Sequence, residues 1–247
     1  MQLFPIKTRV LIPPKDDLYS VLDEYLTDVR EGDVVLITSK VVAIHEGRSV
    51  SIEDVMNKDI LIQNESELFL PVSYRSRPIT VIHNAVIASA GIDESNGAGY
   101  YILLPVNPFN SAKEIHRYVK KKFGLTQLGI VLTDSHSEPL RYGAMSISIG
   151  CWGLEPVVSH VGKPDLFGRE TEYAKTNMVD ALSAAATLVS GECAEACPIV
   201  IARDVQNVVY TEEDPRPSLF VPYEEDIFRG LFEKFEKGGK SQINAQE

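Results

Sequence analysis

Three observations in the amino-acid sequence predict an α+β fold with mixed or antiparallel sheets. Segments of helical period and segments of strand character succeed one another without the regular alternation of a doubly wound fold. Two β-branched runs, residues 79–83 and 85–88, are separated only by Asn84 and read as a hairpin. Two continuous apolar runs, residues 34–37 and 128–132, read as buried strands.

In chain order, residues 3–12 read as a strand stopped by Pro13-Pro14, and Leu18, Val21, Leu22, Tyr25, Leu26 and Val29 then recur at helical spacing, predicting an amphipathic helix over 16–29. Glu31-Gly32-Asp33 punctuates the chain before the strand 34–37, which delivers Thr38-Ser39-Lys40 at its end, a place for a phosphate. Ser111-Ala112-Lys113-Glu114 reads as a capping box opening a helix that Gly124 stops. The strand 128–132 ends in Thr133-Asp134-Ser135, and a further strand is expected over 145–149, before a glycine-rich turn at 150–153. Residues 170–190 carry alanines and leucines without Pro or Gly, predicting a long helix that ends at Gly191. A buried strand follows at 198–202 and a final amphipathic helix at 222–236.

The 247 residues suffice for one large domain over 1–240, with room for two intimate lobes, and a loose polar tail over 241–247. A formal net charge of −11 disfavours a nucleic-acid partner, and the basic run 117–122 falls on a helix face. No apolar run is long enough to span a bilayer, so no membrane partner is expected. The N-terminus lacks the layout of a secretory signal, so a cytoplasmic location is expected. Three cysteines, Cys151, Cys193 and Cys197, are an odd number and suggest free thiols. A Cys193/Cys197 metal clip would lack the second pair of ligands that a tetrahedral site needs.

The stretch AGIDESN, residues 90–96, concentrates acid, amide and hydroxyl groups around a glycine directly after an apolar run. Asp93, Asp134 and Glu192 each follow an apolar segment or a helix end. Separate elements could therefore aim three carboxylates at one point. Two carboxylates about 4 Å apart repel by roughly 4 kcal/mol at an effective dielectric near 20, so such a cluster calls for protons or a cation. Oxygen donors favour Mg2+ or Mn2+, ions that commonly bridge nucleotide phosphates. On the residues alone, unrelated turn and cap residues remain an equal reading. Neither a GxxxxGK[ST] loop nor a GxGxxG fingerprint is present.

The ordered motifs GDVVLITSK, EGR at 46–48, AGIDESN, LLP, VLTDS, SIGCWGLEP, GKPDLFGRE and SGE at 190–192 give the chain a resemblance across most of its length. It resembles the coenzyme F420-0:γ-glutamyl ligases and their relatives proposed to act in folate metabolism. The resemblance implies that fold and a homodimer. It further implies a nucleotide-dependent amide bond between an acceptor carboxylate, that of coenzyme F420-0 or a folate-like pterin, and the α-amine of L-glutamate. GTP (or ATP) would activate the acceptor as an acyl phosphate.

By matching position, Asp93 and Asp134 would ligate one divalent ion, and Ser135 and Glu192 a second, with a monovalent cation such as K+ as well. Arg9, Val10, Leu11, Ile12, Ser39, Lys40 and Asn96 would contact the nucleotide. So would the loop of Ser190, Gly191, Cys193, Ala194, Glu195, Ala196 and Cys197. Lys40 would add a point charge to the catalytic carboxylates. Arg141 and Arg169 suit a carboxylate clamp or an ordinary ion pair.

The chain departs from the resemblance at Ile44, where a lysine is usual, and at Ser137-Glu138, which replace a Gly-Arg pair. It also departs in a short region between Arg48 and Glu65, and at Asp204 in place of glycine. The competing expectation is a nucleotide-binding regulator of the same fold without catalysis.

Overall fold

The computed structural model describes residues 1–71 and 77–242. Of the tail expected at 241–247, residues 243–247 lie outside the described residues. The fold is α+β, with mixed and antiparallel sheets and, among the described residues, seven α-helices. The first half of the chain runs β1 (Gln2–Ile6), α1 (Leu18–Tyr25), β2 (Asp33–Thr38), α2 (Ser39–His45), β3 (Ser49–Ser51), α3 (Lys58–Glu65), β4 (Leu68–Phe69), β5 (Ile79–Ile82), β6 (Ala85–Ala88) and β7 (Tyr100–Ile102). It continues with α4 (Pro108–Phe123), β8 (Leu128–His136), β9 (Met145–Trp152), β10 (Val157–Ser159), β11 (Lys175–Asn177), α5 (Met178–Ser190), β12 (Ile199–Arg203), α6 (Arg216–Leu219), α7 (Arg229–Phe232) and β13 (Glu236–Lys237).

A five-stranded sheet of order β1-β12-β2-β8-β9 forms the centre. β2 and β8 run parallel and every other pairing in this sheet is antiparallel. Both faces of the central strands are covered, which is why they read as continuous apolar runs rather than alternating ones. Val35, Ile37, Ile130 and Leu132 pack with α1 and α4 on one face; Val34, Leu36, Val131 and Val200 pack with Val179, Leu182 and Ala186 of α5 on the other. A second sheet, β13-β4-β5-β6, contains the expected hairpin, whose turn places His83 and Asn84 at φ 52° and 56°. A third apolar cluster of Ile62, Ala90, Ile92, Tyr101 and Leu103 fixes α3 against the segment that leaves β6.

Several expected boundaries move. β1 stops at Ile6, where its partner β12 begins at Ile199, so residues 7–12 are not strand. The Ser111 capping box does not form. Asn107 caps α4 by accepting from the Asn110 amide, Pro108 suits the first helical position, and the Ser111 hydroxyl instead donates to Glu46.

β9 continues through residues expected to turn. Gly150 permits this, because a Cβ there would lie 2.6 Å from the Pro108 carbonyl carbon. The helix expected from 170 begins at Met178, capped by Asn177, because residues 175–177 pair with β10 first. The helix expected over 222–236 is replaced by a 3-10 turn, the short α7 and β13. The Asp226 side chain accepts from the Phe228 amide, and the edge of β4 claims Glu236 and Lys237.

The end of the central sheet away from the loops is held by a buried ion pair. Asp33 is fully buried and receives Arg203 through Nε at 2.9 Å and Nη2 at 2.8 Å, with the Arg30 amide as a third donor. Asp204 follows at φ 56°, the left-handed region that a glycine occupies more cheaply. Removing the guanidinium would strand a buried carboxylate. Arg203→Met is therefore expected to lower unfolding free energy by about 3–5 kcal/mol, measured by urea denaturation.

Candidate active site at the strand ends

The register of the central sheet decides what meets at its other end. Because β2 and β8 are parallel, both carboxyl ends point the same way, with Thr38 opposite Thr133. Their antiparallel neighbours bring the start of β12, the end of β1 and the start of β9 to the same place. A register shift between Leu132 and Thr133 against β9 re-aims the last residues of β8. Asp93 arrives from elsewhere. It follows β6 after the segment Ser89–Gly91 and is pinned by two backbone hydrogen bonds with Ile102. These elements wall one cavity of about 820 Å3.

Within it the charges are already partnered. Lys40 Nζ donates to Asp93 Oδ2 at 2.6 Å and to the Ser95 carbonyl at 2.8 Å, while the Ser95 amide and hydroxyl also donate to Asp93. Ser39 Oγ donates to Asp134 Oδ1 at 2.6 Å, and Ser135 Oγ donates to Glu192 Oε2 at 3.1 Å. Asn96 Nδ2 donates to the Cys193 carbonyl at 2.8 Å, joining the AGIDESN turn to the loop after α5. That loop turns at Gly191, φ 78°, where a Cβ would lie 2.3 Å from the Glu195 carboxyl carbon. The Glu195 carboxylate accepts from the Cys193 amide, and the loop docks on the β1 exit through Thr8 N to Ala196 O at 2.9 Å.

Burial, reinforced by the nearby Asp93 charge, pushes the Asp134 carboxyl up to about 7, against the Ser39 hydroxyl that favours its charged form. Burial also opposes ionisation of Asp93, but the Lys40 ammonium outweighs it and holds that carboxyl below its ordinary value. Among the described residues no cation pairs directly with Asp134, although the Lys40 charge also favours its ionised form. Among the described residues no three His, Cys, Asp or Glu side chains gather closely enough to hold a metal ion. The donor chemistry nevertheless fits a hard cation: Asp93, Asp134, Ser135 and Glu192 offer only oxygen, and Asp134 keeps a proton where a cation would replace it.

Most of the residues singled out in the sequence line this cavity: Arg9, Val10, Leu11, Lys40, Asp93, Asn96, Asp134, Ser135 and the loop 190–197. Ser39 lies buried behind Asp134, and Ile12 is exposed outside the lining. The Arg9 guanidinium is turned away into a two-pronged pair with Asp16, at 2.6 and 2.8 Å. Arg141 and Arg169 do not line the cavity, and Arg169 pairs with Glu172 at 3.3 Å.

Ile44 is a core residue, 2% exposed, on the inner face of α2. The EGR and LLP motifs tie the scaffold: Arg48 pairs with Glu65 and donates to the Leu104 carbonyl, and Glu46 accepts from the Val106 amide. Sequence reasoning passed over Lys58, Arg77, Ser89 and His136, which also line the cavity. His136 was the most findable of these, one residue beyond VLTDS on the same strand.

The family model described as F420-0:Gamma-glutamyl ligase matches residues 5–204. Similar proteins include the "Coenzyme F420:L-glutamate ligase" of Methanopyrus kandleri, 31% identical over 93% of this chain and 98% of that protein. The protein of the same name from Methanothermobacter thermautotrophicus is 31% identical over 93% and 99% of the two chains. That from Halorubrum lacusprofundi is 30% identical over 93% and 96%.

The raised Asp134 value has a measurable consequence. A group that binds its proton more tightly when folded contributes stability that is lost as pH rises through its folded value. In chelator, stability is therefore expected to fall between about pH 4 and 7, by on the order of 1 kcal/mol per pH unit at the steepest. Asp134→Asn should flatten that slope, and added Mg2+ should reverse it in the unsubstituted chain; thermal melts across the pH range check both.

Proposed function

We propose, from the premise that this chain belongs to the F420-0:Gamma-glutamyl ligase family, a family of amide-forming ligases, that it joins L-glutamate to the carboxylate of coenzyme F420-0 or a folate-like pterin at the expense of GTP. The observation that carries this reading is a single cavity in which five strand ends and the AGIDESN turn bring together Lys40, two hydroxyls and three carboxylates. Such a wall suits a polyanion only when its acids are neutralised. Asp93 with Asp134, and Ser135 with Glu192, would hold two Mg2+ or Mn2+ ions, which offset charge on the phosphates. A monovalent cation such as K+ belongs to the same proposal.

The chain's own part is positioning and electrostatics. In the proposed sequence an acceptor carboxylate oxygen attacks the terminal phosphorus, forming a P–O bond as GDP leaves. The glutamate α-amine then attacks the acyl carbon, phosphate leaves with the C–O bond, and the nitrogen loses a proton. Lys40, carried on the first turn after β2, places its ammonium beside Asp93 at the mouth of the parallel pair. The loop 190–197 and the exit of β1 form the opposite wall, where backbone groups suit a nucleotide.

A homodimer is part of this reading. The arm beyond β10 leaves Leu166 98% and Phe167 96% exposed, and Leu140 and Tyr142 are equally bare. Exposed apolar side chains of this kind suit an interface with a second copy. The regulator reading draws on Glu138, whose carboxylate engages His136 Nε2 at 3.1 Å on the cavity wall.

Purified protein with Mg2+ or Mn2+, K+, GTP or ATP, L-glutamate and each acceptor is expected to release phosphate and yield a glutamylated product by mass. Asp93→Asn and Asp134→Asn should each lower kcat/KM by roughly a hundredfold or more. Nucleotide binding without turnover under every condition would favour the regulator. Separately, Phe167→Asp should convert a dimer to a monomer in size-exclusion chromatography with light scattering.

A further inference from the structure

The cavity's acids outnumber the cations free to serve a ligand, and that imbalance locates a second anion site. Asp93, Glu94, Asp134, Glu192 and Glu195 all line the cavity. An incoming amino dicarboxylate carries two carboxylates that remain unreacted, and each would meet like charge unless a cation faces it. Arg9 is already gripped by Asp16 through two hydrogen bonds, and Lys40 by Asp93 and Ser95.

Two cations remain. Arg77 lines the cavity, is exposed, and has no ion-pair partner among the described residues. Lys58, the first residue of α3, rests 4.5 Å above the Tyr101 ring and reaches Glu94 only at 3.6 Å, a distance too long for a hydrogen bond. Its ammonium is thus held over the ring and loosely paired with Glu94, with no hydrogen bond among the described residues to give up before it meets an incoming carboxylate.

Both flank the same piece of backbone. Ser89, Ala90 and Gly91 take φ values of 55°, 52° and 68°, a left-handed turn that two non-glycine residues adopt at a cost. The turn is over-determined. The Ser89 amide donates to the Pro78 carbonyl at 2.8 Å, next to Arg77, and the Ala90 amide donates to Thr80 Oγ1 at 2.9 Å. Ala90 is buried in the cluster with Ile62 of α3. Packing therefore ties Arg77, the turn and α3 into one wall, and Ser89 and Gly91 line the same cavity as the two cations.

We propose that Lys58 and Arg77 hold the two carboxylates of the incoming amino acid, leaving its amine to face the acids of the cavity. This rests on the ligase reading above and assigns its amino-acid subsite to the wall built by α3, the Ser89–Gly91 turn and the entry to β5. An arginine suits a carboxylate through its planar fork, and a lysine serves as a mobile point charge.

Steady-state kinetics on the full chain with Mg2+, GTP and F420-0 test this as L-glutamate is varied. Arg77→Ala and Lys58→Met should each raise the KM for glutamate about tenfold to a hundredfold. The kcat at saturating glutamate, the KM for GTP and the melting temperature should stay near those of the unsubstituted chain, and Arg77→Lys should fall between. An unchanged glutamate KM in both variants, or a rise confined to GTP or F420-0, overturns the proposal while leaving the ligase reading intact. Absence of turnover in the unsubstituted chain overturns the ligase reading instead. Calorimetric titration of L-glutamate then decides the subsite: binding that Arg77→Ala weakens about tenfold supports it. Equal affinity in both chains, or no binding to either, overturns it.

Discussion

The parallel pairing of β2 with β8 is the constraint on which the rest of this structure depends. Hydrogen bonding from Asp33–Leu128 through Thr38–Thr133 forces two carboxyl ends to emerge side by side, and the connection between them must span some ninety residues. Into that span the chain places α2, the strands β4 to β6 of the second sheet, the AGIDESN turn and α4. The long crossover is therefore how Asp93, forty-one residues before Asp134, comes to face it. An antiparallel pairing at this position would have sent Ser39 and Asp134 to opposite ends of the sheet.

The electrostatics follow from that convergence. In a cavity closed by protein on several sides, each acid either finds a partner or keeps its proton. Asp93 takes the Lys40 ammonium and Glu192 accepts from a hydroxyl, while burial pushes the Asp134 carboxyl up to about 7 against the Ser39 hydroxyl and the more distant pull of Lys40. The contrast with the far end of the sheet is instructive. There Asp33 is more deeply buried, yet Arg203 satisfies both of its oxygens, and the polar groups form a closed structural set. Unfinished charge pairing, rather than burial, separates the cavity from the scaffold.

The positions where this chain departs from its resemblance acquire local explanations. Ile44 belongs to the apolar cluster at α2 and also borders the cavity, so it presents an apolar surface where a lysine would present a charge. Glu138 is occupied with His136, itself bonded to the Val86 carbonyl, so the charge reversal there is absorbed by a neighbour on the same strand. Asp204 accepts the left-handed backbone that glycine would take freely.

The sequence by itself determined the elements whose signals are local. The buried strands 34–37 and 128–132, the 79–88 hairpin, Gly124 and Gly191 as helix stops, and the acids at strand ends all depend on near neighbours. Boundaries failed where a tertiary partner outweighed local preference: β12 ends β1, β10 claims residues 175–177, and the edge of β4 claims residues 236–237 from an expected helix. Tertiary structure alone decided which polar residues share a wall. Lys58 and Arg77 carry no local mark, because they come to line the same cavity as Asp93 and Asp134 only when separate elements pack together, and no spacing along the chain encodes a distance across folded space.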